Sequence, residues 1–293
     1  MIAAPGAGGF QTPLTRPGLG TAFAVSAGCH PAGSHSVAGM LSTPRRIADG
    51  IRRRLQYRAV TATPGTVLRE FRLLGVAMLV ADLVGSVAVE VVAGEIGYGA
   101  YDFSEIALQP GDVILDLGAH VGVVSIFLAK THPGVTIHAF EPSPPVFALL
   151  EENLRRNRVS NVIAHNQAVA ATAGMVDLVA HLQSNSAGST AFLGREHPAG
   201  HERFRVSSVS LDDIFETYGI ERCPLLKIDV EGSEYDVLHA SRLLGRATQI
   251  RGEFHENAYL RSKGHTMREL QSFCESVIGA GNVRYTECFM PDA

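Results

Sequence analysis

The sequence predicts an α/β fold with a doubly wound, mostly parallel sheet. From Pro110 onward, short apolar runs alternate with longer amphipathic runs, as expected for parallel strands joined by helical crossovers. The first apolar run, Val113–Leu117, passes directly into a turn that contains Gly118 and Gly122. Because crossovers between parallel strands are right-handed, helices are expected to cover both faces of the sheet.

Each element is predicted from its own pattern. Short runs rich in β-branched and aromatic residues predict strands at Val113–Leu117, Thr136–Phe140, Val162–His165, Val176–His181, Leu225–Asp229, Ile250–His255 and Val283–Phe289. Apolar residues three or four positions apart predict helices at Val123–Lys130, Pro145–Arg156, Glu234–Leu244 and Met267–Ile278. The segment Val209–Tyr218 is predicted to hold a short strand followed by a helix.

The region before Tyr101 is organised differently. Residues 1–45 are rich in Gly, Ala, Pro, Ser and Thr without periodicity, which predicts disorder, and no signal peptide is expected there. Residues 46–100 are interpreted as an extension of helix and strand, with a buried helix near Val67–Leu83 and a strand near Val87–Val92. Residues 101–293 are predicted to form the main domain.

Composition narrows the class of partner. The formal net charge is −4, which argues against a polyanionic partner such as nucleic acid. The most apolar stretch, Leu73–Val92, contains Asp82, and a central Asp costs about 2.5–3.5 kcal/mol on insertion scales, so no membrane span is expected. The cysteines show no CxxC spacing and are interpreted as reduced thiols in a cytoplasmic protein. They are Cys29, Cys223, Cys274 and Cys288.

Acidic and imidazole side chains follow four of the predicted strands. Asp116, Glu141, Asp229 and His255 each lie at or just beyond a strand end. In doubly wound sheets the ligand binds at the carboxyl ends of the strands, near the switch point. The sequence therefore predicts one site that gathers these four residues.

The glycine turn favours one class of cofactor. Its spacing is G-x-x-x-G rather than the G-x-G-x-x-G that seats a pyrophosphate, and Asp116 precedes Gly118 by two residues. An acid there would repel a pyrophosphate and attract a cationic amino acid, so S-adenosyl-L-methionine fits better than a dinucleotide. Glu141 is predicted to accept hydrogen bonds from a ribose diol. The other predicted cofactor-binding residues are His120 and Gly122 in the turn, and Gln167 and Ala168 at the adenine edge.

Three blocks resemble the FkbM family of S-adenosylmethionine-dependent methyltransferases. They are the stretches at 110–122, 139–144 and 225–234, and Glu253-Phe254-His255 is similar to a later strand end of the family. The resemblance implies a Rossmann-like class I methyltransferase fold and, usually, methylation of a hydroxyl on a sugar or secondary metabolite. The chain departs from the pattern at both ends. Its first 100 residues match nothing familiar, and its sheet is completed either by an N-terminal strand or by an abbreviated edge.

Candidate catalytic residues lie at the ends of the predicted strands Leu225–Asp229 and Ile250–His255. Asp229 is the first candidate for the base that takes the hydroxyl proton, and His255 is the second. Lys227 shares a face with Asp229 by period-2 alternation, so it is expected to keep that carboxylate ionised. Asp229, Glu231 and Glu253, with His255, could also gather a divalent ion, although metal dependence is the less favoured interpretation.

Several points stay open at this stage. The acceptor is expected to be a small-molecule or glycolipid hydroxyl, a homo-oligomer is not excluded, and the polar loop Ser184–Thr190 is interpreted as a lid or a plain surface loop. Two other functions remain. One is a nicotinamide-dependent oxidoreductase. Glu141 would have the same role in such an enzyme, but the chain lacks the glycine turn that these enzymes usually have. The other is a non-catalytic binding protein of the same fold.

Overall fold

The computed structural model describes residues 58–61, 65–180, 189–190 and 202–290. Its strands are β1 (Arg58–Thr61), β2 (Thr66–Leu73), β3 (Val76–Leu83), β4 (Val113–Leu117), β5 (Thr136–Phe140), β6 (Val162–His165), β7 (Ala168–Ala170), β8 (Gly174–Ala180), β9 (Ser189–Thr190), β10 (Glu202–Ser210), β11 (Leu225–Ile228), β12 (Ile250–Glu256) and β13 (Val283–Phe289). Its α-helices are α1 (Ala88–Tyr98), α2 (Val123–Thr131), α3 (Pro144–Arg156), α4 (Leu211–Thr217), α5 (Glu234–Ala240), α6 (Ala258–Ser262) and α7 (Met267–Ile278). Two 3-10 turns lie at Phe103–Glu105 and Leu244–Arg246.

The centre of the molecule is a six-stranded sheet in the order β13-β12-β11-β4-β5-β6. Every neighbouring pair in it is parallel. From β4 the chain winds outward through β5 and β6, and after β11 it winds the other way through β12 and β13. This order confirms the predicted doubly wound, Rossmann-like fold and puts the switch point between β4 and β11.

Strand β4 shows how the sequence covers both faces of this sheet. Ile114 packs into the hydrophobic core formed with α2 and α3, whereas Leu115 and Leu117 pack into the core formed with α4, α5 and α7. Ile114, Leu115 and Leu117 are fully buried, and apolar residues buried on both faces are typical of parallel strands covered by helices on each side.

The N-terminal extension has the opposite local structure from the one predicted. The predicted helix near Val67–Leu83 is wrong: this segment is the antiparallel hairpin β2–β3. Burial alternates along β2, with Phe71 and Leu73 inside and the residues between them exposed, so the period is two. The hairpin turns at Leu74 and Gly75, both with positive φ, as a two-residue type I′ connection requires.

The predicted strand near Val87–Val92 is also wrong, because this segment begins helix α1. Its valines have strand propensity, but burial of Val89, Val91 and Ile96 outweighs that preference. The helix and the hairpin share one hydrophobic core with α2 and α3. The extension is therefore packed as part of the main domain.

Side chains from α2 and α3 cover the outer edge of β3. The Asn153 amide accepts from Ala81 N at 2.7 Å and donates to Ala81 O at 2.9 Å. One helical turn later, Asn157 makes the same pair of bonds with the backbone of Leu79, at 3.1 and 2.6 Å. Lys130 Nζ donates to Ala77 O at 2.7 Å. Two asparagines at i and i+4 thus act as a partner strand and fix the hairpin to the domain.

The other sequence-based expectations concern the edge of the central sheet, the strands after β6 and the length of helix α5. Among the described residues, no N-terminal strand joins the central sheet, whose order ends at β13 on one side. Strands β7, β8, β9 and β10 form a separate four-stranded sheet in the order β7-β10-β8-β9. The predicted helix Glu234–Leu244 ends earlier, at Ala240. Residues 1–45, for which disorder was predicted, and most of the loop 184–190 lie outside the described residues.

The cysteine interpretation is corrected at one position. Cys223 and Cys274 are free and buried, but Cys288 is disulfide-bonded. The expectation that all four are reduced thiols is therefore wrong for Cys288.

Within the described part of the chain, no helix is long and apolar enough to cross a bilayer.

Replacement of Asn153 by Ala should lower the free energy of unfolding by about 3 kcal/mol. The reason is that it leaves the amide and carbonyl of Ala81 buried without their partner, and each such group costs roughly 1–3 kcal/mol. Urea unfolding followed by circular dichroism measures the change. Glu151→Ala, at an exposed position of the same helix, is the control and should shift stability by less than about 0.5 kcal/mol. Equal stabilities of the two variants would contradict this account of docking.

Candidate cofactor and active site

A cavity opens at the switch point, over the carboxyl ends of β4, β5 and β11. Together with the open solvent at its mouth, it has a volume of about 560 Å³. Seven of the residues predicted for the site line it, namely Gly118, His120, Glu141, Gln167, Ala168, Asp229 and Glu231. Apolar residues that the sequence did not single out complete the wall, among them Phe140 and Leu178. The strand-end argument therefore brought the correct elements together.

The floor of this cavity is a very close approach between two strand ends. A Cβ on Gly118 would lie 1.8 Å from the backbone oxygen of Asp229, so only glycine fits there. Gly118 has a φ of +78° and Gly122 one of +91°, both in the region that glycine adopts at little cost. A Cβ on Gly122 would lie 2.7 Å from the Leu150 side chain. Gly122 therefore faces Leu150 of α3 and is not among the residues that line the cavity.

Glu141 is held in place by two backbone amides. Its Oε2 accepts from His120 N at 3.0 Å and its Oε1 from Ser143 N at 2.9 Å. Burial raises the pKa of Glu141 to about 7, although these two hydrogen bonds act to lower it. His120 has a positive φ of 52°, and burial lowers the pKa of its imidazole. The turn therefore presents a fixed carboxyl and a neutral imidazole to the cavity.

Lys227 lies beneath the glycine turn and joins the two strands at the switch point. Its Nζ donates to Gly118 O at 2.7 Å and lies 3.4 Å from Asp116 Oδ1 and 3.7 Å from Asp229 Oδ2. Burial alone would lower the pKa of Lys227, but Asp116 and Asp229 outweigh it and raise that pKa. The ammonium is therefore a fixed positive charge next to Asp229.

Asp116 has a role that the sequence did not indicate. Its side chain is fully buried, and its Oδ2 accepts from Ser125 Oγ of α2 at 2.6 Å. With Lys227 on its other oxygen, it lies under the turn instead of lining the cavity. Its geometry supports the turn from below, and direct contact with a cofactor stays a prediction.

His255 is held between two acidic residues on the loop and helix that follow β11. Its Nδ1 lies 2.9 Å from Glu234 Oε1, and its Nε2 lies 3.6 Å from Glu231 Oε2. Burial alone would lower the pKa of His255, but Glu234 and Glu231 outweigh it and raise that pKa well above its usual value. A protonated imidazole cannot accept a proton. Asp229 is therefore the better placed of the two candidate bases.

Glu234 is more important to the site than its sequence position indicated. Besides its contact with His255, its Oε1 accepts from Val230 N at 3.0 Å and from Gly232 N at 3.2 Å. It therefore shapes the loop 229–233 that carries Asp229 and Glu231. Glu231 within that loop has a positive φ of 54°, a conformation that this network holds in place.

Glu95 of the N-terminal extension and Tyr101, just after it, were not predicted from the sequence. Glu95 of α1 is buried, its Oε2 accepts from Tyr101 Oη at 3.3 Å, and burial raises its pKa to about 8. Burial, with the charges of Glu95 and Asp229, also raises the pKa of Glu253 well above its usual value. Burial therefore favours the protonated form in this pair of carboxyls. An acid within an otherwise apolar helix was the signal that could have identified Glu95.

The candidate metal ligands are only partly brought together. Donor atoms of Asp229, Glu231 and His255 all lie within 4.8 Å of one another. Glu253 is grouped instead with His255 and Cys288, and Cys288 is disulfide-bonded. Of the four predicted ligands, Asp229, Glu231 and His255 therefore lie together and Glu253 does not join them, and a metal there stays a prediction.

Known proteins resemble this chain over the same region. The methyltransferase FkbM domain matches residues 116–276. The chain belongs to this FkbM domain family. It is 35% identical over 158 residues to the 31-O-demethyl-FK506 methyltransferase FkbM of Streptomyces tacrolimicus, covering 45% of this chain and 60% of that protein. It is 30% identical over 164 residues to the methyltransferase sdnD of Sordaria araneosa, covering 47% and 62%.

The chain spans about three fifths of the length of these relatives. A precorrin-6y C5,15-methyltransferase from Geobacter metallireducens superimposes with a TM-score of 0.34 at 16% identity, over 59% of this chain and 66% of that one. At that TM-score the similarity supports no inference about this protein. The residues of the FkbM match include the glycine turn, Glu141 and the loop after β11, but not the N-terminal residues Glu95 and Tyr101.

Gly118→Ala should both destabilise the protein and distort the cavity floor, because its Cβ would overlap the Asp229 carbonyl. Gly99 is a matched control: its φ is also +78°, and a Cβ there meets nothing within 4 Å. Gly99→Ala should cost only the left-handed strain of about 1–2 kcal/mol. Gly118→Ala should cost at least about 2 kcal/mol more through overpacking. Equal unfolding free energies in urea would refute the close contact.

Proposed function

We propose that the protein is an S-adenosylmethionine-dependent O-methyltransferase that acts on a hydroxyl of a sugar, glycolipid or secondary metabolite. The observation that carries this proposal is the charge of the cavity wall. Among the described residues that line it, the ionisable groups are Glu141, Asp229, Glu231 and His120, with no lysine or arginine. Such a wall favours a cationic ligand over a pyrophosphate.

The residues present fit this cofactor. Glu141 would accept hydrogen bonds from the ribose diol, since each of its oxygens keeps a lone pair free beyond its single backbone amide. Gly118 lets the ligand approach the backbone, and Gln167 and Ala168 lie on the wall where an adenine edge would rest. When bound, S-adenosylmethionine supplies a methyl group already activated by a sulfonium.

The protein has two tasks in this reaction: it holds the acceptor oxygen in line with the methyl group, and it takes up the hydroxyl proton. Asp229 is the residue proposed for the second task. Its side chain is about one fifth exposed and lines the cavity. Lys227, whose Nζ lies 3.7 Å from Asp229 Oδ2, is a positioning residue. His255 retains its own proton and orients Glu231.

The acceptor class rests on the family and on one relative. That relative's name, 31-O-demethyl-FK506 methyltransferase, places its methyl group on an oxygen. We extend this to a hydroxyl acceptor here.

The proposed reaction needs no metal. A cytoplasmic location also remains a prediction, which the disulfide at Cys288 does not favour, since disulfides are rare in reducing compartments.

The decisive experiment measures transfer of a labelled methyl group from S-adenosylmethionine to a panel of hydroxylated acceptors that includes sugars and 31-O-demethyl-FK506. Asp229→Asn should lower turnover at least tenfold, since a positioned base contributes roughly 10²–10⁴-fold, with the affinity for S-adenosylhomocysteine retained. Asp236→Asn, an exposed acid on α5, should behave as wild type. Undiminished turnover in Asp229→Asn would remove this residue from the mechanism. Transfer only to acceptors without a hydroxyl would refute O-methylation.

Affinity for S-adenosylhomocysteine should depend on the ionisation of Glu141. The pKa of this residue is about 7 without ligand, and ribose hydroxyls donate to the ionised form. The dissociation constant measured by calorimetry should therefore stay constant above pH 7 and rise up to about tenfold per pH unit below it. Glu141→Gln should bind weakly and lose this dependence, whereas Glu151→Gln should retain it. Tight binding of NAD with no response to S-adenosylhomocysteine would favour the oxidoreductase alternative.

A further inference from the structure

Two histidines and a glutamate meet on the surface of α5 and α7, apart from the residues that line the cavity. His239 lies near the end of α5, His265 precedes α7, and Glu269 lies in the first turn of α7. The ligand atoms of all three lie within 4.8 Å of one another. His239 Nε2 and Glu269 Oε1 are 3.2 Å apart. None of the three belongs to the proposed methyl-transfer site.

The spacing and chemistry of these atoms suit one class of ion. Two ligands on a tetrahedral zinc at bond lengths of about 2.0–2.2 Å lie roughly 3.4 Å apart, close to the separation of His239 Nε2 and Glu269 Oε1. Two imidazoles with one carboxylate are borderline donors that prefer zinc and similar transition metals, whereas magnesium and calcium prefer oxygen ligands alone. Three protein ligands leave a fourth position for water.

Aromatic packing already fixes both imidazole rings. The His265 ring stacks on the buried Tyr235, with centroids 4.8 Å apart, and the His239 ring meets the edge of Phe273 at 4.5 Å. The His265 amide is held by a hydrogen bond to Leu260 O at 3.0 Å. Ligands whose rings are held by neighbouring side chains lose little freedom when an ion binds.

The Glu269 side chain is directed towards the histidines. Thr266 caps α7 by accepting from Glu269 N at 3.1 Å, and a glutamate at this position often returns the bond to the cap residue. Here its carboxylate contacts His239 instead. The side chains of His239 and Glu269 are 28% and 43% exposed, so an ion from solution can reach them.

We propose that His239, His265 and Glu269 form a surface site for a zinc ion that joins the end of α5 to the start of α7. Helix α5 carries Glu234 in its first turn, and Glu234 shapes the loop 229–233. The ion therefore has a structural role: it fixes the far end of the helix that supports the cavity wall. It takes no part in methyl transfer.

The test uses the full chain freed of metal with a chelator. Calorimetry should show one zinc equivalent bound, and cobalt substituted for zinc should give visible absorption typical of a site with imidazole ligands. His265→Ala and the milder Glu269→Gln should each weaken zinc binding by more than about tenfold, since even outer-shell changes cost roughly 10–100-fold. His132→Ala, which removes a partly exposed histidine at the end of α2, is the control and should bind as wild type.

A second readout separates this structural site from ions bound elsewhere. Zinc should raise the melting temperature of the wild type and of His132→Ala, and should leave that of Glu269→Gln unchanged. Glu269 is exposed, so this variant is expected to fold even if His265→Ala does not. Absence of zinc uptake by the wild type would overturn the proposal. So would unchanged zinc affinity in Glu269→Gln.

Discussion

The whole site depends on the burial of one ammonium group at the switch point. Lys227 is almost inaccessible, and a buried charge is tolerated only with close compensation. Its partners come from three places: Asp116 in β4, Gly118 in the turn and Asp229 after β11. This requirement brings the ends of two neighbouring strands into register. The glycine at 118 follows from the same arrangement, since the strand ends are then too close for any Cβ.

Most of the central sheet could be predicted from the sequence because its signals are local. Buried parallel strands are short apolar runs, and the acids at their ends mark the ligand edge. The same reasoning placed Glu141, Gln167 and Asp229 on one cavity. It also predicted that Asp116 contacts the cofactor. A position at a strand end does not show whether the side chain points to the ligand or towards a buried lysine.

The N-terminal extension could not be predicted in the same way. The sequence of the hairpin at 66–83 is as apolar as that of a buried helix. Only the alternation of buried and exposed side chains through Phe71 and Leu73 distinguishes a strand from a helix here. Its stability comes from contacts far away in the chain, through Asn153 and Asn157. Glu95 was missed for a similar reason: its partners Tyr101 and Glu253 lie on different elements. Long-range pairing of polar groups leaves no periodic trace in a sequence.

The asparagine contacts on β3 have a consequence for association between molecules. An edge strand with free amides and carbonyls is a template on which another chain can add a strand. On β3 the outward backbone groups at Ala77, Leu79 and Ala81 are occupied by Lys130, Asn157 and Asn153. This edge is closed to strand addition. If copies of the protein assemble through sheet edges, the surfaces left for that contact in the central sheet are β6 and β13.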